Sequence, residues 1–97
     1  MTKPPPLTAD DLAVLACLPI EPQPWQTPGG AVVREIAEET GLGRTTIREV
    51  ILEQSLRRHF HIRRFTGLSA PRGCGTQYAI ARCDWPAAQA LLGRGPT

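Results

Sequence analysis

The sequence holds no apolar run approaching the roughly 20 residues that cross a bilayer, and its opening, MTKPPPL, lacks the apolar stretch of a secretory signal. The expected location is the cytoplasm, with no membrane partner. Cysteine is scarce: Cys17, Cys74 and Cys83 are odd in number and form no CxxC pair, which argues against a disulfide framework or a zinc knuckle. Reduced thiols are the expectation. There is no glycine-rich phosphate loop, no pair of carboxylates set for acid–base work and no nucleophile-plus-base motif, so the chain does not read as an enzyme. At 97 residues and 41% hydrophobic content, one small domain with a modest core is expected, with no room for a ligand-sensing partner domain.

Net charge is also low, at +2, yet its distribution is uneven. Residues 1 to 40 carry two basic and six acidic side chains, whereas 41 to 82 carry eight arginines against Glu49 and Glu53. A polyanion would be drawn to the second half, and arginine suits it because its planar fork binds phosphate or guanine through two hydrogen bonds. The plain alternative is a solvated surface, with Glu49 and Glu53 neutralising neighbours on their own helix.

The stretch Val33 to Ile62, VREIAEETGLGRTTIREVILEQSLRRHFHI, organises the rest. Val33, Ile36, Ala37 and Thr40 recur at helical spacing, with Arg34, Glu35, Glu38 and Glu39 outside. Gly41 suits the left-handed residue that ends a helix, and Leu42 can fold back. Arg44, Thr45 and Thr46 open a second helix, in which Ile47, Val50 and Ile51 form the inner stripe and Arg44, Thr45, Arg48 and Glu49 turn outward. Two helices joined by so short a turn make a helix-turn-helix, whose second helix can enter a DNA major groove.

REIAEETGLGRTTIREVI resembles the helix-turn-helix of bacterial and phage winged-helix regulators, and HIRRFTGLSAPRGCGTQYAIAR resembles their wing hairpin. Together they cover roughly half the chain. The resemblance implies an α+β, mainly helical winged helix-turn-helix: a three-helix core, a β-hairpin wing and a short C-terminal helix. It further implies DNA contacts from Arg44, Thr45, Thr46 and Arg48 on the helix and from Arg63, Arg64 and Arg72 on the wing.

The flanking segments read as support. Residues 1–7, with Pro4, Pro5 and Pro6, read as a mobile arm; 8–92 form the domain and 93–97 a frayed tail. Thr8 looks like an N-cap, with Asp10 and Asp11 in the first turn, Leu12, Leu15, Ala16 and Leu18 inward, Cys17 near the core, and Pro19 ending the helix. PIEPQPWQTPGG is an irregular connection that Trp25 should anchor by packing down, the other reading being a partner-binding ring. Ala31 to Val33 fits a short strand that pairs with the hairpin. Phe60 and Ile62 alternate with His59, His61 and Arg63 as in a half-buried strand. Thr66 to Gly75 fits the hairpin loop. On the return strand, Thr76 to Arg82, Tyr78 and Ile80 should face the core while Gln77, Ala79 and Ala81 point away. Asp84 should cap a last helix whose Trp85, Ala88, Leu91 and Leu92 are apolar.

His59, His61, Cys74 and Cys83 are zinc-preferred ligand types, with His59 and His61 on one strand face within reach of Cys83, but their spacing matches no recognised signature. No metal and no cofactor is therefore expected, and Cys74 near Arg72 invites a minor redox reading. The functional expectation is a small transcriptional repressor or regulator that binds double-stranded DNA as a homodimer, joined through Trp85, Leu91 and Leu92 or through the first helix. Two rivals stand beside it: a protein–protein interaction module, such as a phage-encoded inhibitor or assembly subunit, and a DNA-processing accessory such as an excisionase or partition protein.

Overall fold

Thr8 begins the first helix by a mechanism legible in its own side chain. A computed structural model describes residues 6–26, 29–65 and 76–94, and in it α1 runs Ala9–Cys17. Thr8 Oγ1 accepts from the Asp11 N–H at 3.1 Å, and Asp11 Oδ2 accepts from the Thr8 N–H at 2.9 Å. This reciprocal pair satisfies donors that the helix end leaves unpartnered. Val14, Leu15 and Leu18 are buried, and Leu12, Ala16 and Cys17 half-buried. Leu7, assigned from sequence to the mobile arm, packs partly against the core; residues 1–5 lie outside the described residues.

After the proline-rich connection, β1 (Ala31–Val32) leads directly into α2 (Val33–Thr40). Ile36 is buried and Val33 and Ala37 pack against the core, while Arg34, Glu35, Glu38 and Glu39 are exposed as expected. Gly41 ends the helix at φ +77°, with its N–H on Ala37 O at 2.8 Å. Leu42 folds back onto the core. A helical turn at Arg44 and Thr45 then enters α3 (Thr46–Ser55), which a 3-10 turn, Leu56–Arg58, extends.

The winding of α3 differs from the expectation. It is a π-helix: the Leu56 N–H reaches back five residues to Ile51 O. A wider turn shifts which side chains share a face. Ile47, Ile51, Leu52 and Leu56 are all buried, whereas Val50, placed in the inner stripe by α-helical spacing, is 48% exposed. Leu52 occupies the core instead.

β2 (Ile62–Phe65) and β3 (Gln77–Ile80) pair antiparallel, with Ile62 opposite Ile80 and Arg64 opposite Tyr78. β1 joins the other edge of β3, giving the order β1-β3-β2. Phe60 and Ile62 face inward as expected, and Tyr78 and Ile80 meet them. Gln77, Ala79 and Ala81, however, do not point to solvent; all three are buried. The proline-rich connection is the reason. The Ile80 N–H donates to Pro19 O and the Glu21 N–H to Ile80 O, both at 2.8 Å, and the Gly30 N–H donates to Gln77 Oε1 at 2.8 Å. Gly30 passes so close that a Cβ there would collide with the Tyr78 carbonyl. These hydrogen bonds hold the connection without help from Trp25, which is 79% exposed and not the anchor expected.

A 3-10 turn, Arg82–Asp84, precedes α4 (Trp85–Leu91), with Pro86 in its first turn. Asp84 does not cap this helix through its side chain; its carboxylate is engaged by His61. Ala88 and Gln89 are buried. Gly93 and Arg94 belong to the expected frayed tail, yet Arg94 is tied down, its N–H on Gln89 O at 2.9 Å and its Nη2 on Ala16 O at 3.2 Å. Residues 95–97 lie outside the described residues. The result is an α+β fold, about 55% helical, with a small three-stranded antiparallel sheet. Among the described residues no helix is long and apolar enough to cross a membrane.

Candidate nucleic-acid interface

The turn at Gly41 sets α3 immediately after α2, and the inward packing of Ile47 and Ile51 leaves its opening turn on the surface. Arg44, Thr45, Thr46 and Arg48 are all exposed. Neither Arg44 nor Arg48 makes an ion pair among the described residues. Two cations and two hydroxyls therefore share one accessible helix end, the chemistry that binds phosphate oxygens and base edges.

The hairpin arginines behave differently. Arg63 and Arg64 are consecutive in β2, and neighbours in a strand point to opposite faces. Arg64 falls on the α3 side, where its Nη1 lies 3.4 Å from Glu53 Oε1. Arg57 Nε is 3.5 Å from Glu53 Oε2, and the Tyr78 hydroxyl donates to Glu53 Oε1 at 3.2 Å. Burial, and then the Glu53 charge, push the Tyr78 hydroxyl above its ordinary pKa; Arg64 and Arg48 pull it back. Arg57 and Arg64 thus flank one carboxylate.

Arg63 faces the proline-rich connection, with its Nε on Glu21 Oε2 at 2.7 Å. That hydrogen bond raises the pKa of its guanidinium further. Arg82 Nη2 donates to Glu21 O at 2.7 Å on the same side. The structure therefore places Arg64 against Glu53 in the later part of α3 and holds Arg63 on Glu21, away from it. Arg72 and Cys74, with the rest of residues 66–75, lie outside the described residues.

Sequence reasoning identified Glu53 as a neutraliser of its own helix, which the i,i+4 pair with Arg57 matches. Its links to Arg64 and Tyr78, and the Glu21–Arg63 pair across 42 positions, carried no local signal. Of the metal-ligand types singled out, His61 and Cys83 come together, joined by Asp84 and not by His59. In the expected dimer surface Trp85 and Leu92 pack partly on the core, leaving Leu91 at 52% exposure. Comparison of the chain with protein-family models, curated proteins and solved structures found no match.

Proposed function

We propose that the chain is a sequence-specific duplex-DNA-binding protein of winged helix-turn-helix type, acting in the cytoplasm as a small transcriptional repressor or regulator without catalytic activity. The observation that carries this reading is the exposed quartet Arg44, Thr45, Thr46 and Arg48, whose arginines make no ion pair among the described residues, on the helix that follows the Gly41 turn. In the major groove Arg44 and Arg48 would address base edges, each good two-bond contact contributing roughly 1–3 kcal/mol of discrimination. Thr45 and Thr46 would hold phosphates and fix the register. Arg64 would reach the adjacent backbone, and Arg72 lies further along the same hairpin sequence. Arg63 would have to leave Glu21 to join them.

A single module buries roughly 600–1,000 Å² on DNA, a small footprint, so the reading includes a homodimer on a two-fold site, joined through α4 around Leu91 or through α1. A monomeric sedimentation profile at micromolar concentration, with and without DNA, would count against the dimer.

The test is fluorescence anisotropy of labelled duplexes, comparing DNA from upstream of the chain's own gene with scrambled DNA over a salt series. Arg44→Ala/Arg48→Ala is measured alongside wild type. Selective binding that weakens with salt and loses its preference in the double variant supports base reading by α3. Equal, weak binding to both duplexes, unchanged in the variant, overturns it. A second reading, a protein-contact module, is favoured by Trp25 standing 79% exposed in the proline-rich connection, and predicts that second outcome. A DNA-processing accessory such as an excisionase or partition protein would use the same residues, and differs in where its binding sites lie.

A further inference from the structure

Where β2 begins, the chain comes back beside itself at the turn before α4, and three side chains of zinc-binding chemistry meet. His61, Cys83 and Asp84 each offer one ligand atom, and the three atoms lie within 4.8 Å of one another. Their backbones are locked together. The His61 N–H donates to Asp84 Oδ2 at 2.6 Å, the Ala81 N–H to His61 O at 2.9 Å, and the Asp84 N–H to Ala81 O at 3.0 Å. His61 and Cys83 are exposed and Asp84 half-buried, so an ion can reach the group from solvent.

We propose that His61, Cys83 and Asp84 form a zinc(II) site at the base of the hairpin, binding the cation through an imidazole nitrogen, a thiolate and a carboxylate oxygen, with water in the fourth position. The donor set selects the metal: sulfur and nitrogen suit zinc and are poor ligands for magnesium or calcium. In the metal-free protein His61 Nδ1 and Asp84 Oδ2 stand 2.9 Å apart with a hydrogen between them. Metal binding replaces that hydrogen bond, the imidazole staying neutral as its proton moves through solvent from Nδ1 to Nε2. The Cys83 S–H bond breaks, its proton passes to the buffer, and a Zn–S bond forms with no change of oxidation state.

Bond lengths of about 2.0–2.3 Å place tetrahedral ligands roughly 3–4 Å apart, so atoms now up to 4.8 Å apart close by about 1 Å while His61 Nδ1 and Asp84 Oδ2 open slightly from 2.9 Å, shifts within the rotation of the exposed His61 and Cys83 side chains. Cys83 and Asp84 together carry two negative charges toward the ion. Arg63 lies near both, but Glu21 offsets its charge. The bound cation would tie the start of β2 to the start of α4, and this site does not depend on the DNA-binding reading.

The experiment is cobalt(II) titration of the full reduced chain followed by displacement with zinc. One equivalent of cobalt is expected to produce a thiolate-to-cobalt charge-transfer band and the intense visible bands of four-coordination, both removed by zinc. Cys83→Ser should abolish the charge-transfer band, and His61→Ala or Asp84→Asn should weaken zinc binding by at least the roughly 10–100-fold typical of losing even an outer-shell partner. Cys17→Ser and Cys74→Ser should bind as wild type does. Circular dichroism of each variant confirms that it is folded. The proposal is overturned by absence of the band in wild type, by its persistence in Cys83→Ser, or by its loss in Cys74→Ser.

Discussion

Glu53 is the residue whose replacement tests the packing and the surface chemistry together. Its Oε1 accepts from the Tyr78 hydroxyl at 3.2 Å, and Tyr78 is 1% exposed. Glu53→Ala leaves that buried hydroxyl without its acceptor, which costs about 1–3 kcal/mol. The pairs with Arg57 and Arg64, at 3.5 and 3.4 Å on part-exposed side chains, add no more than about 0.5 kcal/mol each. A loss of about 2–3 kcal/mol is expected in urea denaturation, a large part of the roughly 5–15 kcal/mol that a domain of this size has. Glu53→Gln keeps a carbonyl for Tyr78 and should stay within about 1 kcal/mol of wild type. Tyr78→Phe in the Glu53→Ala background should recover about 1 kcal/mol or more, because both polar partners are then gone. Equal stability of Glu53→Ala and Glu53→Gln would refute the account. If DNA is bound as proposed, Glu53→Gln also frees Arg57 and Arg64, tightening binding several-fold and steepening the salt slope by about 0.9 for each arginine that reaches a phosphate. An unchanged slope would mean that neither does.

The winding of α3 predicts opposite outcomes at adjacent apolar positions: Leu52→Ala should cost about 2–5 kcal/mol and Val50→Ala within about 0.5 kcal/mol, and equal costs in urea denaturation would contradict the wide turn. Gly41→Ala should destabilise by about 1–2 kcal/mol, because its φ of +77° places a side chain in the left-handed region; a thermal melt unchanged from wild type would contradict it. At alkaline pH the folded state keeps the Tyr78 proton longer than the unfolded chain does. The associated stability is complete below about pH 10 and is lost as pH rises through the folded value. Tyr78→Phe should flatten that decline, and parallel curves for the two proteins would exclude Tyr78 as its source.

Of the candidate site, the part on α3 was legible and the part on the hairpin was not. Arg44, Thr45 and Arg48 were expected outward from spacing within one helix and Thr46 entered through the resemblance; all four are exposed. Arg63 and Arg64 were grouped as DNA contacts of the wing that the resemblance implies. Strand geometry sends them to opposite faces, and each meets an acid from a distant segment, Glu21 or Glu53. A count of charges along the chain records how many arginines there are, but not which are already neutralised.

Local chemistry by itself determined the helix limits that depend on a few neighbouring residues: the Thr8–Asp11 capping pair, the left-handed Gly41, and Pro86 in the first turn of α4. It also determined the inward Phe60 and Ile62, because alternation along one strand needs no knowledge of its neighbours. Tertiary structure decided what depends on a second surface. Gln77, Ala79 and Ala81 are buried because β3 is the central strand and the proline-rich connection closes over it. Trp25 stands out because the hydrogen bonds accepted by Pro19 and donated by Glu21 and Gly30 hold that connection. Val50 yields its place to Leu52 because the hydrogen bonding of α3, which sets its turn, cannot be read from the spacing of apolar residues when two windings bury equally apolar stripes.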